Sequence, residues 1–394
     1  MSEKRAETNL IDYLNWRGDL TLAQDPFNEV DSLLLSVLSY INFGRLPELR
    51  SKSEADAVPI GSVCRQLTAQ DEQQGLSIHD YIPVMQQAAA TERFRELRML
   101  GYESIHDEAL EMQFAAVSFL IPDGSVYLSY MGTDRTLVGW KEDCNMSFMD
   151  AVPAQLRAAA YAGEIAAGCP ARMLRLGGHS KGGNLAVWAA CHLPEALQPR
   201  LLAAYNNDGP GFCTDLLSSQ AYRAVEDRVL TIIPESSIIG VLLEHEDDYE
   251  VIASSNHAVM QHEALSWQVM GNRFVRLAKR SQMGKVSDGA LRDWLNAMSP
   301  EERQSFIDAL FQVLSQGGRL HKLEELWDGG VIGGVNLVRE YAEADNETKS
   351  VLREQLRNLV AEVGEELLHT AGEGMASIRQ RIWEHLPDWL KREQ

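Results

Sequence analysis

The sequence predicts an α/β fold: a mostly parallel central sheet with N-terminal helices and a C-terminal helical region. Between residues 114 and 254, short apolar runs typical of strands alternate with segments of helical length. Such alternation favours a parallel sheet that helices cover on both faces. Strand patterns stop near residue 275, so we expect one domain over residues 1–275 and a helical region over residues 276–394.

The individual elements follow from local patterns. Residues 9–100 carry apolar side chains at mixed three- and four-residue spacing, which predicts helices, with Asp31 as an N-cap. A Pro-Asp-Gly turn at residues 122–124 predicts a hairpin, and Ser299-Pro300 predicts the start of a C-terminal helix. Strands are expected at residues 114–121, 125–131, 173–176, 201–205, 228–233 and 249–254, and helices at 152–167, 183–192 and 349–368.

Composition restricts the partners. The chain has 394 residues and a formal net charge of -21, which repels the phosphates of nucleic acids and of anionic membranes. A small neutral or cationic molecule fits better as the substrate. Five scattered cysteines without CxxC spacing indicate neither a disulfide framework nor a zinc site. No apolar run approaches ~18 residues and the N-terminus lacks an apolar segment, so we expect a cytoplasmic protein without stable membrane insertion.

A nucleophile motif stands between a predicted strand and a predicted helix. Gly178-His179-Ser180-Lys181-Gly182 has the GxSxG spacing, in which a strained turn exposes the serine hydroxyl and both glycines avoid Cβ clashes. This context predicts the α/β-hydrolase fold, with Ser180 as the nucleophile and the Lys181 N–H at an oxyanion site beside the helix N-terminus. His179 is expected to be a packing or hydrogen-bonded residue, because a neighbour in sequence points elsewhere on such a turn.

A serine nucleophile needs a histidine base and a carboxylate, and in this fold the acid and then the histidine follow the serine along the chain. His262 and His257 both come directly after the last predicted strand. Asp208 and Glu235 each end a predicted strand, where the loops of an open α/β sheet build sites. We favour His262 and Asp208, with His257 and Glu235 as alternatives and Asp247 as a third candidate acid.

A second motif carries a family resemblance. Met131-Gly-Thr-Asp134, upstream of the serine turn, resembles the pattern of class 3 (triacylglycerol) lipases. A closer resemblance is to a bacterial, lipase-related family (Mbeg-like) of the α/β-hydrolase superfamily. It covers about residues 9–275 and includes the Asn-Asp-Gly-Pro-Gly-Phe segment at 207–212 and Gln261-His262 before Trp267. The resemblance implies that the N–H groups of Thr133 and Lys181 form the oxyanion hole.

Two departures from the lipase pattern bear on the substrate. Lys181 stands where those lipases usually have an apolar residue, and no secretion signal is recognisable. We therefore expect a polar acyl ester, lipid-derived or small and soluble, in place of bulk triglyceride. The predicted function is a serine ester hydrolase with an acyl-Ser180 intermediate. It requires no metal or cofactor because the activated serine supplies the nucleophile. The alternatives are an acyltransferase that uses the same serine and an inactive hydrolase-fold binding module.

Overall fold

The computed structural model describes residues 8–68, 71, 80–212, 214–237, 239, 243, 249–280, 293–315, 341 and 343–371. The chain divides into two compact units. The first comprises Met1–Asp134 and Ala151–Arg280, and the second comprises Arg135–Asp150 and Ser281–Gln394. The short segment Arg135–Asp150 therefore groups with the C-terminal part of the chain, although the first unit surrounds it in sequence.

The first unit is built on one sheet, in which eight strands are paired within the described residues. In chain order they are β1 (Val58–Pro59), β2 (Arg98–Asp107), β3 (Met112–Leu120), β4 (Ser125–Tyr130), β5 (Met173–His179), β6 (Leu201–Asn207), β7 (Val229–Pro234) and β8 (Tyr249–Ile252). Strands β1 to β4 pair antiparallel, and β4 to β8 pair parallel. A separate two-stranded sheet joins β9 (Val269–Met270) to β10 (Arg273–Phe274).

Helices pack on both faces of the sheet. Those of the first unit include α1 (Leu10–Arg17), α2 (Glu29–Leu38), α3 (Ile60–Cys64), α4 (Tyr81–Ala89), α6 (Pro153–Gly168), α7 (Lys181–Cys191), α8 (Thr214–Ser218) and α9 (Gln220–Arg223); α5 (Leu137–Asn145) belongs to the second unit. A Cβ added to Gly177 would meet Ser32 of α2, whereas one added to Gly178 would meet Gly182 of α7. Successive strand residues point to opposite faces, so α2 and α7 cover opposite sides of β5. The predicted α/β-hydrolase architecture with a mostly parallel central sheet is confirmed.

Two local predictions near the N-terminus are wrong. Residues 90–100 are not helical, because α4 ends at Ala89 and β2 begins at Arg98, where it pairs antiparallel with β3. Asp31 is not the N-cap of α2. Asn28 caps that helix, and Asp31 is the third helical residue, whose carboxylate accepts the Asn28 N–H at 3.0 Å. This reciprocal arrangement is a capping box, so the acidic residue closes the turn from within the helix.

The helices of the second unit include α5 (Leu137–Asn145), α10 (Pro300–Leu314) and α11 (Asn346–Ala371). Its apolar core includes Leu137, Trp294, Phe306 and Leu352. Ser299 caps α10 as predicted, in a capping box with Glu302, and α11 contains the predicted helix at 349–368. Across the described part of both units, no helix is long and apolar enough to cross a membrane.

Candidate active site

The turn after β5 presents Ser180. The strand ends at His179 and α7 begins at Lys181, with Ser180 between them at φ 60° and ψ -138°. A side chain at positive φ costs on the order of 1–3 kcal/mol, and such strain is typical of functional turns. A Cβ on Gly178 would lie 2.2 Å from the Gly182 carbonyl carbon, and one on Gly182 would lie 2.1 Å from the Tyr130 carbonyl oxygen. The two glycines of the motif are therefore needed for the close approach of the strand, the turn and the helix.

The adjacent strand ends in a second turn of the same kind. Asp208 follows β6 directly and has φ 57°. Strands β5 and β6 are parallel neighbours, with His179 opposite Asn207, and the Ser180 N–H donates to the Asn207 carbonyl at 3.0 Å. The Asp208 N–H donates to Ile232 of β7 at 2.9 Å. The register of three strands thus places Ser180 and Asp208 at the same edge of the sheet.

His262 meets Asp208 across this edge. Its Nδ1 lies 2.6 Å from Asp208 Oδ2, and the Asp208 side chain is fully buried. Ser237 Oγ donates to the same carboxylate oxygen at 2.8 Å. Because an ionised carboxylate only accepts hydrogen bonds, Nδ1 of His262 carries the proton. The Nε2 of neutral His262 is then the basic nitrogen.

The turn that carries Asp208 is held by buried amide side chains. Asn206 Oδ1 accepts the Gly209 N–H at 3.0 Å. Asn184 of α7 donates to the carbonyls of Pro210 and Gly211 at 3.1 and 2.8 Å. These bonds satisfy backbone groups of a turn that leaves the regular strand. The Asp208 turn is therefore held by Asn206 of β6 and by Asn184 of α7, the helix that follows Ser180.

The alternative residues are not part of this pair. Glu235 has its backbone N–H bonded to Ile252, and Asp208 takes the place beside His262. His257 is an exposed residue that precedes the 3₁₀ helix Ala258–His262. Asp247 lies outside the described residues. Within the described part of the chain, the histidine and the acid that meet are therefore the two that we favour from the sequence.

The loop after β4 passes directly beside Ser180. A Cβ on Gly132 would lie 2.9 Å from Ser180 Cβ and 2.6 Å from the His179 carbonyl oxygen. The next residue, Thr133, is buried. The N–H groups in the first turn of a helix point out of its N-terminus, and Lys181 is the first residue of α7. The loop that contains Thr133 and the first residue of α7 therefore both adjoin Ser180, and these are the two elements that we expect to supply oxyanion donors.

The Lys181 side chain points into the protein. It is fully buried, and its Nζ donates to the carbonyl and the side-chain oxygen of Gln113 at 3.0 and 2.6 Å. Gln113 Oε1 also accepts the Asp134 N–H at 3.3 Å. The Lys181 ammonium is therefore bound within the protein, so a preference for polar esters, which we expect from Lys181 or nearby polar groups, would depend on the nearby groups. The charge of Lys181 instead connects the nucleophile helix to β3 and to the loop that contains Thr133.

Sequence reasoning assigns no specific contact to His179, and it does not single out Tyr40 as part of the site. The His179 ring lies beside His262, with ring centroids 4.6 Å apart, and Tyr40 Oη lies 3.1 Å from His179 Nδ1. The position of His179 next to Ser180 is the one signal for it in the sequence. Tyr40 belongs to the Leu38-Ser39-Tyr40 segment, which the family resemblance includes, but no pattern links it to His179, 139 residues away.

A protein family and a solved structure are similar to this chain. A family model described as Mbeg1-like matches residues 88–312. No curated protein matches the chain significantly. Among solved structures, the chain is similar to the Lip2 lipase from Yarrowia lipolytica, with 11% identity, a TM-score of 0.38, and coverage of 64% of this chain and 84% of that chain. The family match spans more than half of the chain and includes Ser180, Asp208 and His262.

Proposed function

This chain belongs to the Mbeg1-like family, and from that premise and the geometry of its candidate site we propose that it is a serine ester hydrolase. The observation that carries the proposal is the 2.6 Å contact between His262 Nδ1 and buried Asp208, at the sheet edge where the strained turn presents Ser180. Nucleophile, acid and base then follow one another along the chain in the order that this fold uses. The substrate is a small-molecule acyl ester, which includes lipid-derived esters.

Acylation is the first half of the proposed reaction. Ser180 Oγ attacks the acyl carbonyl carbon while His262 Nε2 takes the serine proton, and Asp208 stabilises the imidazolium that forms. The carbonyl oxygen becomes an oxyanion, which the N–H groups of Thr133 and Lys181 stabilise. When this tetrahedral intermediate collapses, the ester C–O bond breaks. The alcohol leaves with the proton from His262, and the acyl group stays on Ser180.

Deacylation repeats these steps with water. His262 Nε2 removes a proton from a water molecule, whose oxygen attacks the acyl-Ser180 carbonyl. Collapse of the second tetrahedral intermediate returns the proton to Ser180 Oγ and releases the carboxylic acid. Each step uses groups of this chain and water, and the same residue serves as base and then as acid in both halves.

The experiment is turnover of p-nitrophenyl esters of two to eight acyl carbons by wild-type protein, Ser180→Ala and Ser255→Ala. Ser255 is an exposed serine that donates to the Ser266 carbonyl, so it is a matched control. We expect Ser180→Ala to lose at least ~10⁴-fold in kcat, since loss of a catalytic serine removes the covalent route, and Ser255→Ala to keep wild-type turnover. Equal turnover by Ser180→Ala and wild-type protein would contradict the proposal.

A further inference from the structure

His179 makes hydrogen bonds through both of its ring nitrogens. Nε2 lies 2.8 Å from the carbonyl oxygen of His262, and Nδ1 lies 3.1 Å from Tyr40 Oη. A carbonyl oxygen only accepts hydrogen bonds, so Nε2 carries the proton and donates a hydrogen bond to the His262 carbonyl. In a neutral imidazole the other nitrogen is then an acceptor, so the Tyr40 hydroxyl, which also lies 3.3 Å from the His179 carbonyl oxygen, is the donor available to Nδ1. The two contacts together define a single tautomer of His179.

The surroundings keep this ring uncharged. His179 and Tyr40 are both buried. Burial holds the pKa of His179 well below 6.5, and the proximity of His262 lowers the pKa further. Tyr40 itself stacks on Tyr81, with ring centroids 5.9 Å apart, and Tyr81 Oη donates to Glu263 at 3.1 Å. Tyr40 thus contacts His179, and Tyr81 contacts the residue that follows His262.

The contact with His262 involves its backbone and its ring. His179 donates to the backbone carbonyl, and the two imidazoles lie 4.6 Å apart at an interplanar angle of 33°. The backbone bond restrains the position of His262, and the adjacent ring restrains the side-chain rotation that orients Nε2. A charged neighbour at this distance would oppose the positive charge that a base gains during the reaction. A neutral His179 imposes no such repulsion.

We propose that His179, held by Tyr40, is a positioning residue for the base: it fixes the backbone and the ring plane of His262 and lies as a neutral ring against the imidazolium that forms there. This inference rests on the proposed function of Ser180 and His262. It assigns a role in the reaction to a residue that precedes the nucleophile and does not touch the substrate.

Two substitutions separate positioning from packing. The side-chain nitrogen of glutamine takes roughly the place of imidazole Nε2, so His179→Gln retains a donor to the His262 carbonyl. The nitrogen of asparagine takes roughly the place of Nδ1, so His179→Asn loses that donor and keeps a polar group near Tyr40. Both variants remove the ring and are similar in polarity. If His179 only packs, the two substitutions should lower the reaction rate alike. Any larger loss in the variant with the smaller asparagine should then come with a lower unfolding midpoint.

The readout is the second-order rate constant for labelling of Ser180 by a fluorophosphonate, together with kcat, KM and the thermal unfolding midpoint. We expect His179→Asn to label and turn over about 10- to 100-fold more slowly than wild type, with KM unchanged, because small displacements of catalytic groups have effects of this size. His179→Gln should regain most of the rate. Tyr40→Phe, which removes one hydroxyl, should lose about threefold to tenfold, with KM again unchanged.

The outcomes distinguish the two levels of the proposal. Equal labelling rates for wild type, His179→Asn and Tyr40→Phe would overturn the positioning role and leave the hydrolase proposal intact. Equal losses in His179→Asn and His179→Gln that follow their unfolding midpoints would also overturn it. Wild-type protein that carries no label on Ser180 would overturn the proposed function itself, and the inference with it.

Discussion

Two regions supply the candidate triad, and they are held in different ways. The strand-end turns, at residues 179–181 and 207–209, carry Ser180 and Asp208. Both residues have left-handed backbone conformations, with φ 60° and 57°, and backbone hydrogen bonds between neighbouring parallel strands hold them. Glycines permit the close approach of chain segments around Ser180. In the strand-end turns, sheet register therefore sets the positions of the functional groups.

In the histidine loop, residues 253–268, backbone hydrogen bonds join the two ends, as between Ser255 and Ser266, but side chains hold the part around His262. Gln261 Oε1 accepts the Ser236 N–H at 2.7 Å, Trp267 Nε1 donates to the Gln261 carbonyl at 3.0 Å, and His179 donates to His262. Two short 3₁₀ helices, Ala258–His262 and Ala264–Ser266, lie in this loop in place of an α-helix or a strand. Changes in the strand-end turns should therefore damage the fold or abolish the chemistry. Changes in the histidine loop should reduce the rate and leave the fold nearly intact.

The largest expected effect is at Asp208. Asp208→Asn keeps the size of the side chain but replaces the acceptor that fixes the His262 tautomer, so kcat should fall about 10³- to 10⁴-fold. Glu235→Gln is the matched control at the alternative acid and should change kcat less than twofold. Steady-state ester hydrolysis measures both variants. A larger loss in Glu235→Gln than in Asp208→Asn would mean that the acid has been assigned to the wrong strand end.

The next effect is on stability at Gly178. A Cβ at this position would lie 2.2 Å from backbone atoms of Gly182, so Gly178→Ala should lower the free energy of unfolding by about 3 kcal/mol. Gly163, inside α6, has no atom within 4 Å of an added Cβ, so Gly163→Ala should raise it by about 0.5–1 kcal/mol. Urea denaturation measures both. Similar values for the two variants would show that the serine turn tolerates a side chain.

A smaller effect is expected in the histidine loop. Gln261→Leu removes the bond from Ser236 and the bond to the Asn256 carbonyl, so His262 should lose orientation and kcat should fall about tenfold, a difference of about 1.4 kcal/mol. The urea midpoint should change less than in Gly178→Ala. Met260→Ala, at an exposed position of the same loop, should leave kcat unchanged. A lower urea midpoint for Gln261→Leu than for Gly178→Ala would contradict the proposed difference between the two regions.

The smallest effect concerns the charge of His179. Its native pKa is well below 6.5 because it is buried and, secondarily, because it lies near His262. The unfolded chain therefore binds a proton at this residue before the native state does, and the free energy of unfolding falls as the pH drops below about 6.5. Between pH 7 and 5.5 this should amount to about 1 kcal/mol. Urea denaturation of wild type and His179→Gln at both pH values should show that the free energy of unfolding falls less in the variant. An identical fall in both proteins would mean that native His179 binds the proton.

Much of the fold can be predicted from the sequence, because the spacing of apolar residues and the turn-forming residues determine helices, strands and turns locally. The hairpin at residues 122–124 and the strand–turn–helix around Ser180 depend on neighbours in the chain, and both were predictable. The error at residues 90–100 has a physical cause, since the short apolar spacing after α4 fits either a helix or the start of a strand. The partner that decides between them is β3, which follows β2 along the chain.

The candidate site was predictable only where chain order constrains it. The order of serine, acid and histidine restricts the acid to a few strand ends, yet Asp208 and Glu235 both satisfy it. The choice depends on which strand end reaches His262, a tertiary distance of 2.6 Å for Asp208. The contacts of Lys181 with Gln113 and of His179 with Tyr40 link residues 68 and 139 positions apart. No local pattern encodes such pairs.

The central claim is that Ser180 is an activated nucleophile and His262 is its base. We would treat wild-type protein, His262→Ala and His257→Ala with a fluorophosphonate and map the modified residue by peptide mass spectrometry. The account predicts a label on Ser180 in wild type and in His257→Ala, and its loss in His262→Ala. A label on another residue, no label in wild type, or equal labelling of Ser180 in His262→Ala would contradict it.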